Sequence, residues 1–288
     1  MSDRADVTVS IVNFNTKDEL RKCLDSLLNQ QGVKYEIAVV DNCSDDGSLE
    51  MLNDEYSHMV GILPSDANLG FAAAQNLVVK QADGRYFFIL NPDTVVTSDY
   101  MFKHMVDYMD EHPNVGILAP KVLNPDGTVQ KSVRRFPSFF AAMFRQTKLG
   151  EWFPNTKLVK DYLMEDFDHN EIADVDWASG CAMMVRKSAM DNMGGFDDRF
   201  FMYCEDMDLC RRMDEESWVI RYYPREEVIH RIGASSDKVP LEMIGEHHKS
   251  MFRYFVKHNA LTPKVFLIPF AALGLWLRSL ALKRKVKM

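Results

Sequence analysis

Acidic residues occupy three places in the chain where a carboxylate could do chemistry. Asp41 and Asp93 each follow an apolar run typical of a buried strand, and Glu205-Asp206 open a stretch with helical spacing. Ligands of α/β proteins bind at the carboxyl edge of the sheet, so acids that end strands are expected to meet there. Such a cluster suits a divalent cation on a phosphate-bearing ligand, together with a general base.

Each strand-end acid has a chemical and a structural interpretation. Asp41 could accept the N–H of a pyrimidine ring, with Phe14 of the neighbouring strand stacking on that base; alternatively, Asp41 caps the polar turn 45–48. Asp93 could hold a cation that bridges two phosphates. Its Asn-Pro-Asp-Thr setting is equally typical of an Asx turn.

The acids at 205 and 206 sit in a first helical turn, where the helix dipole favours negative charge. Four bulky apolar residues, 200–203, immediately precede them, which favours a base held in a cleft. Asp208 and Arg212, four residues apart, predict a surface ion pair.

Other polar and aromatic residues could complete a site. His230 lies among apolar residues and is either structural or a second metal ligand beside Asp93. Trp177, shortly before Ser179, could stack on a sugar ring or pack in the core. The segment 68–70 could bring its backbone close to a phosphate.

The elements that position these residues change character along the chain. Strands and helices alternate over the first ~120 residues, which indicates a parallel sheet with right-handed crossovers; Thr16 is predicted to cap the first helix. The second half predicts a mixed arrangement: strands at 128–136, 174–185 and 218–222, an aromatic helical flap at 137–159, and helices at 205–213 and 240–258. We expect one domain over 1–236, with halves 1–120 and 121–236, and a helical region over 237–288.

Composition excludes several functional classes. The 288 residues are 47% hydrophobic and 26% charged, as expected for a folded core, and the net charge of −8 with no basic stripe through the body argues against nucleic-acid binding. Five cysteines without a CxxC pair predict reduced thiols in the cytosol. The polar N-terminus predicts no signal peptide. Neither GxGxxG nor GxxxxGK[ST] occurs, which argues against dinucleotide-binding and P-loop sites.

The C-terminal tail has an unusual composition. Residues 265–282 are apolar apart from Pro269 and Arg278, and a basic run follows. Because a spanning helix needs about 20 apolar residues, an amphipathic helix on the membrane surface, drawn to anionic lipid, fits better. An oligomerisation helix is the alternative.

Taken in order, these segments resemble the family-2 inverting glycosyltransferases, in particular bacterial rhamnosyltransferases that elongate lipid-linked cell-surface glycans. The resemblance covers most of the chain, from about residue 7 to 230, and is carried by the segments 9–15, 39–47, 68–72, 90–93, 179–182 and 195–209.

The resemblance implies a GT-A fold, α/β with a Rossmann-like, mostly parallel sheet, a nucleotide-diphosphate-sugar donor, and Mg²⁺ or Mn²⁺. Asp93 matches the second acid of the family's DxD signature, with Asn91 at the first, and His230 matches a metal-ligating histidine. Asp206 matches the catalytic base, with Glu205 beside it as acceptor-site partner or alternate base. The implied donor site comprises Phe14, Asn15, Asp41, Asn68, Gly70 and Asn91, and the acceptor site Trp177, Ser179 and Gly180.

In the implied reaction, Asp206 removes a proton from an acceptor hydroxyl, which attacks the donor sugar opposite the diphosphate and inverts its configuration. dTDP-rhamnose is the expected donor, and a lipid-linked or polysaccharide chain the acceptor, at the inner face of the cell membrane. A UDP-hexose or UDP-N-acetylhexosamine transferase is the alternative.

A nucleotidyltransferase would need a basic loop that binds phosphate near the N-terminus, and residues 13–17 do not form one. A silent sugar-nucleotide-binding subunit would not need these acids. A homo-oligomer remains open.

Overall fold

The structure is a computed structural model that describes residues 4–137, 161–233 and 240–286. Apart from Pro137, the predicted flap at 137–159 lies outside the described residues.

The first half of the chain forms the parallel part of the sheet. Its strands are β1 (Val7–Asn13), β2 (Tyr35–Asp41), β3 (Gly61–Pro64) and β4 (Tyr86–Leu90), joined by the helices α1 (Lys17–Leu27), α2 (Ser48–Met51) and α3 (Phe71–Val79). These strands are adjacent in the order β3-β2-β1-β4, with every pair parallel. All residues of β1 and β4 are buried, as expected for strands covered by helices on both faces.

The second half extends the same sheet with mixed directions. It comprises β5 (Thr94–Val96), α4 (Met101–Glu111), β6 (Val115–Leu123), β7 (Val133–Arg134), β8 (Ala173–Val175), β9 (Trp177–Ala178), β10 (Ala182–Arg186), α5 (Lys187–Asn192), α6 (Glu205–Glu215) and β11 (Val219–His230). The order continues from β4 through β10, β6 and β11 to β5, with β8 also paired to β11. Because β10 is antiparallel to both β4 and β6, the sheet is mixed here, and the predicted α/β fold class is confirmed.

Helices cover both faces of the sheet. Side chains alternate along β4: Phe88 packs against Phe102 of α4, with ring centroids 5.1 Å apart, whereas Phe87 joins the cluster around α3 and α6. The carboxyl ends of the parallel strands are left free of this packing and face the loops before α1, α3 and α6.

Several predicted elements differ in detail. Of the expected strand 128–136, only β7 forms a strand. It pairs with β9 in a separate two-stranded ribbon and does not join the main sheet. The expected strand 174–185 divides into β8, β9 and β10, which pair with different partners. The strand predicted over 218–222 continues to His230, with a register shift between Tyr223 and Glu227 that marks a bulge.

Thr16 does not cap α1 with its side chain, contrary to the prediction. Its hydroxyl donates to Oδ1 of Asn13 at 2.7 Å, and the first helical N–H, of Lys17, donates to Oδ2 of Asp46 at 2.9 Å. The cap therefore comes from the loop after β2, which ties that loop to the start of α1.

Two helices follow the sheet. α7 (Pro240–Asn259) packs against α8 (Ile268–Val286), and the 3-10 turn Pro263–Leu267 connects them. Asp208 of α6 is fully buried and binds Arg212 of its own helix and Lys257 and His258 of α7. The predicted Asp208–Arg212 pair is confirmed, but its predicted surface position is wrong, because α7 covers this side of α6.

Candidate active site

A cavity of about 710 Å³ opens at the carboxyl edge of the sheet. Eleven of the thirteen site residues predicted from the sequence line it: Phe14, Asn68, Gly70, Asn91, Asp93, Trp177, Ser179, Gly180, Glu205, Asp206 and His230. The predicted donor, metal, base and acceptor positions thus meet at one place, although the chain separates them by up to 216 residues.

Asp41 and Asn15 lie next to this cavity and hold its loops. Asp41 is 2% exposed; its Oδ1 accepts from Nδ2 of Asn13 at 3.0 Å and its Oδ2 accepts from the N–H of Ser44 at 3.1 Å. Asn15 accepts from the N–H of Asp45 at 2.8 Å. Asp41 thus binds the residue just before the predicted turn 45–48, whereas Asn15 and Asp46 accept from N–H groups within that turn. Recognition of a pyrimidine by Asp41 stays a prediction.

The loop before α3 is held against the segment before α6 by a close backbone approach. Gly70 has φ +80°, and a Cβ there would lie 2.2 Å from the carbonyl oxygen of Phe201. The N–H of Phe71 donates to that same oxygen at 2.7 Å. Only glycine fits at position 70, so this residue has a structural function whatever it binds.

Asp93 and His230 lie side by side in the wall of the cavity. Asp93 follows β4, His230 ends β11, and Oδ1 of Asp93 lies 3.2 Å from Nε2 of His230. The two atoms are close, but the angles do not make a hydrogen bond, so this buried Oδ1 has no hydrogen-bond partner among the described residues.

The proton position on His230 follows from its neighbour. Nε2 of Gln130 donates to the side chain of Asn124 and to the carbonyl of His230, which leaves Oε1 of Gln130 to face Nδ1 of His230 at 2.8 Å. Nδ1 therefore carries the proton and donates to Gln130. In the neutral ring, Nε2 then carries the lone pair and lies 3.2 Å from Oδ1 of Asp93, and a ring held through Nδ1 in this way is typical of metal-ligating histidines.

These two side chains fit a divalent cation. One carboxylate oxygen without a hydrogen-bond partner and one imidazole lone pair converge from the ends of two strands. No group of three or more His, Cys, Asp or Glu residues that could hold a metal occurs among the described residues. A cation bound here would thus take its remaining ligands from phosphate and water, as Mg²⁺ commonly does.

Glu205 and Asp206 begin α6 and line the same cavity. The two residues before them, Tyr203 and Cys204, both have left-handed backbones, with φ of 68° and 67°. Left-handed conformations are costly for non-glycine residues and concentrate at functional sites. This turn directs the first residues of α6 into the cavity.

Burial raises the pKa values of both acids, but hydrogen bonds from neighbouring N–H groups stabilise only one of them in its ionised form. Burial raises the pKa of Glu205 well above its ordinary value, and the charge of Asp206 raises it further. Burial also raises the pKa of Asp206, but the N–H groups of Gly180, at 3.0 Å, and Met207, at 2.7 Å, stabilise its ionised form. A proton on this pair therefore favours Glu205, and Asp206 is the acid whose ionised form is better stabilised.

Sequence reasoning missed two parts of the site. Arg134 of β7 lines the cavity with its guanidinium 5.6 Å from the ring of Trp177, and its charge favours ionised Asp206. The cavity also continues between α7 and α8, where it is lined by Met243, Ile244, His247, His248, Met251, Arg278 and Leu282. The one signal for this second part was the arginine that interrupts the apolar tail.

Comparison with known proteins gives a consistent result. The family model for glycosyl transferase family 2 matches residues 8–191. An N-acetylglucosaminyl-diphospho-decaprenol L-rhamnosyltransferase of Mycobacterium tuberculosis is 30% identical over 88% of this chain and 84% of its own. The rhamnosyltransferase WbbL of Escherichia coli K12 is 29% identical over 90% of this chain and 96% of its own.

A solved structure supports the fold. A mannosyltransferase from Pyrobaculum calidifontis, in complex with GDP-Man and Mn²⁺, superposes with a TM-score of 0.58 at 15% identity. The match covers 96% of this chain and 74% of the solved one. The GT-A type of fold expected from the sequence is confirmed.

Proposed function

The chain belongs to glycosyl transferase family 2, and from this premise we propose that it transfers L-rhamnose from dTDP-rhamnose to a hydroxyl of a lipid-linked acceptor, with inversion. Two relatives that match most of the chain are rhamnosyltransferases, and one is named for an acceptor sugar on a prenyl diphosphate. The observation that carries the proposal is that Asp93, His230, Glu205 and Asp206 all line one cavity.

Asp206 is the proposed general base. Its Oδ2 is fixed by the N–H of Gly180 and its Oδ1 by the N–H of Met207, so the carboxylate is oriented before the acceptor arrives. The raised pKa brings Asp206 closer to the pH at which it works, which makes it a stronger base than an exposed aspartate. The proton it accepts comes from the attacking hydroxyl of the acceptor.

Glu205 is proposed to act as a neutral group beside the base. Its Oε2 is buried without a hydrogen-bond partner among the described residues. Protonated Glu205 can donate to, or accept from, a hydroxyl of the acceptor sugar without adding a second negative charge near Asp206. The adjoining Trp177, Ser179 and Gly180 form the proposed acceptor wall.

The donor end is proposed to be the side of the cavity near β1, β2 and β4. Phe14 would stack on the base, Asp41 with the adjoining Asn15 would meet its polar edge, and Asn68, Gly70 and Asn91 would line the path of the diphosphate. Asp93 and His230 would hold Mg²⁺ or Mn²⁺, which when bound offsets negative charge on the departing diphosphate.

We propose that α8 holds the protein on the inner face of the cell membrane. Large apolar side chains on it are exposed, among them Phe270 at 63% and Trp276 at 59%. By length and composition the stretch Pro263–Leu280 could also span a membrane, and 6% of it is buried. An interfacial position is favoured because Arg278 of the same helix lines the cavity. We also propose that the glycosyltransferase domain ends near residue 236 and that the helical region after it serves membrane attachment.

The test is a transfer assay with defined components. The purified protein is incubated with Mn²⁺, a short-chain prenyl-diphospho-N-acetylglucosamine, and either dTDP-rhamnose, UDP-glucose, UDP-N-acetylglucosamine or GDP-mannose. We expect a rhamnosylated product by mass spectrometry, loss of transfer with a chelator, and recovery with added metal. Preferred transfer from a UDP-sugar would replace the donor assignment. In a parallel reaction supplied with dTTP and rhamnose 1-phosphate, release of inorganic diphosphate would indicate a nucleotidyltransferase.

A further inference from the structure

The cavity has a second end, which is lined by residues other than the acids described above. Beyond Glu205 and Asp206 it continues between α7 and α8, where its walls combine apolar side chains with His248 and Arg278. This end has the opposite electrostatic character from the carboxylate end, although both belong to one continuous space.

His248 is the most buried polar group at this end. It is 6% exposed, and its Nδ1 lies 2.6 Å from the carbonyl oxygen of Ile244, so Nδ1 carries a proton and donates it. Its Nε2 is buried and has no hydrogen-bond partner among the described residues. A buried polar atom that lines a cavity without a protein partner indicates a position for a ligand atom.

Two cationic side chains of α8 lie near this histidine. The charges of Arg278 and Lys283 on α8 add to burial in lowering the pKa of His248, whereas its bond to Ile244 opposes the change. Lys283 lies against α7, because a Cβ added at Gly245 would be 3.3 Å from its Nζ. An anion placed here would offset both cations and let His248 bind a proton at Nε2 and donate it.

The two faces of α8 have different surroundings. Arg278 and Leu282, four residues apart, line the cavity from one face. The other face exposes Phe270, Leu273, Trp276, Leu277 and Leu280. Since a helix is only about 10 Å wide, an anionic group at Arg278 lies within reach of the apolar exposed face.

We propose that the α7–α8 end of the cavity binds the diphosphate of a prenyl-diphosphate-linked acceptor. Arg278 and His248 contact the phosphates, Lys283 adds charge, and the prenyl chain leaves past Met243 and Leu282 toward the exposed face of α8. The sugar on the diphosphate then extends toward Asp206. This assignment rests on the proposed function, since it requires that the acceptor enter from the membrane side.

Binding of farnesyl diphosphate tests the site, because this probe carries the diphosphate and prenyl chain but no acceptor sugar. Titration calorimetry on the full chain compares Arg278→Gln with Lys249→Gln, a matched control that removes an exposed cation of α7 from outside the cavity. Saturating dTDP and Mn²⁺ occupy the donor end. We expect the Kd to rise about 10- to 100-fold for Arg278→Gln, the factor for a lost charged hydrogen bond, and to stay unchanged for Lys249→Gln.

Three results would overturn the proposal. The first is no binding of farnesyl diphosphate to the unmodified protein, and the second is equal affinity in both variants. The third is binding of the probe only when dTDP is left out, which would assign it to the donor end. Vesicles of phosphatidylglycerol separate the two sources of phosphate: a larger loss of vesicle binding than of probe binding in Arg278→Gln would make Arg278 a lipid-headgroup contact instead.

The proposed function is checked on the same samples. Binding of dTDP and hydrolysis of dTDP-rhamnose report the donor end alone. Normal values in Arg278→Gln, together with unchanged probe binding, would refute the acceptor assignment and leave the glycosyl-transfer proposal intact.

Discussion

One helix of this protein places acids in two opposite environments. Glu205 and Asp206 of α6 face the cavity, whereas Asp208, two residues later, faces α7 and is fully buried. Burial raises the pKa of all three. For Asp208, however, hydrogen bonds from His258 and Lys257 and the charge of Arg212 outweigh burial and lower its pKa. The surrounding partners, and not the depth of burial, therefore decide which acid can take up a proton.

Because their partners differ, Asp206 and Asp208 have separate functions. Asp206 has two backbone N–H donors and no side-chain cation within a salt bridge among the described residues, so it stays able to exchange a proton with a ligand. Asp208 binds Arg212, Lys257 and His258 and so joins the active-site helix to α7. We expect changes at 206 to affect catalysis and changes at 208 to affect stability.

The largest expected effect is on catalysis at position 206. Asp206→Asn keeps the shape of the side chain but removes the base, so we expect turnover to fall by about 10²- to 10⁴-fold. Asp214→Asn, an exposed acid of the same helix, is the matched control and should leave turnover unchanged. Nucleotide binding, measured by calorimetry, should be the same in both. Near-normal turnover in Asp206→Asn would remove this residue from the base position.

Asp208→Asn should mainly destabilise the protein. Removing the carboxylate leaves the part-buried Arg212 without an acidic partner among the described residues and leaves Lys257 with Asp197 alone. Breaking a buried ion pair from one side typically costs about 3–5 kcal/mol. Urea unfolding measures the change, with Asp214→Asn again as the control. If Asp206→Asn were destabilised as much as Asp208→Asn, the two sides of α6 would not differ as described.

The pH dependence should separate the same two acids. The pKa of Asp208 is lowered in the folded protein, so its contribution to stability is present above about pH 4 and is lost as the pH falls through the lower folded value. The pKa of Asp206 is raised, so turnover should decline as the pH falls through a value above that of a free aspartate. Urea unfolding and transfer rates from pH 3 to 8 provide both curves. An acid loss of stability that is as large in Asp208→Asn as in the unmodified protein would contradict the first assignment.

The smallest effect is expected at Glu205. If Glu205 already holds its proton, then Glu205→Gln replaces one neutral group by another. Turnover should then stay within about fivefold, the effect of a single neutral hydrogen bond of about 1 kcal/mol. Initial rates of transfer measure this. A loss as large as that of Asp206→Asn would mean that Glu205 is the base and that the proton on this pair lies on Asp206.

The sequence predicted the strand-end positions of Asp41 and Asp93 well because the relevant information is local. Apolar runs ending in Asp41 and Asp93 identify the strand ends, and parallel strands bring such ends to one edge. For Glu205-Asp206, the bulky residues before them correctly indicated a cleft. Asp208 was misassigned because its partners on α7 lie about 50 residues further along the chain.

The remaining features depend on tertiary contacts that no local pattern reports. Arg134 reaches the site only because β7 leaves the main sheet to pair with β9. Likewise, the left-handed turn at Tyr203 and Cys204 uses residues that rarely adopt it, so composition gives no signal. Arg278 was visible as an interruption of an apolar stretch, but its place in the cavity follows from the packing of α8 on α7.

The central claim is that a single base-assisted displacement occurs in the cavity between Asp93 and Asp206. The anomeric configuration of the transferred sugar, determined by NMR on the purified product and compared with that of the donor, tests it most directly. Inversion is the predicted result. Retention would require an intermediate bonded to the protein or to another group, and would contradict the account.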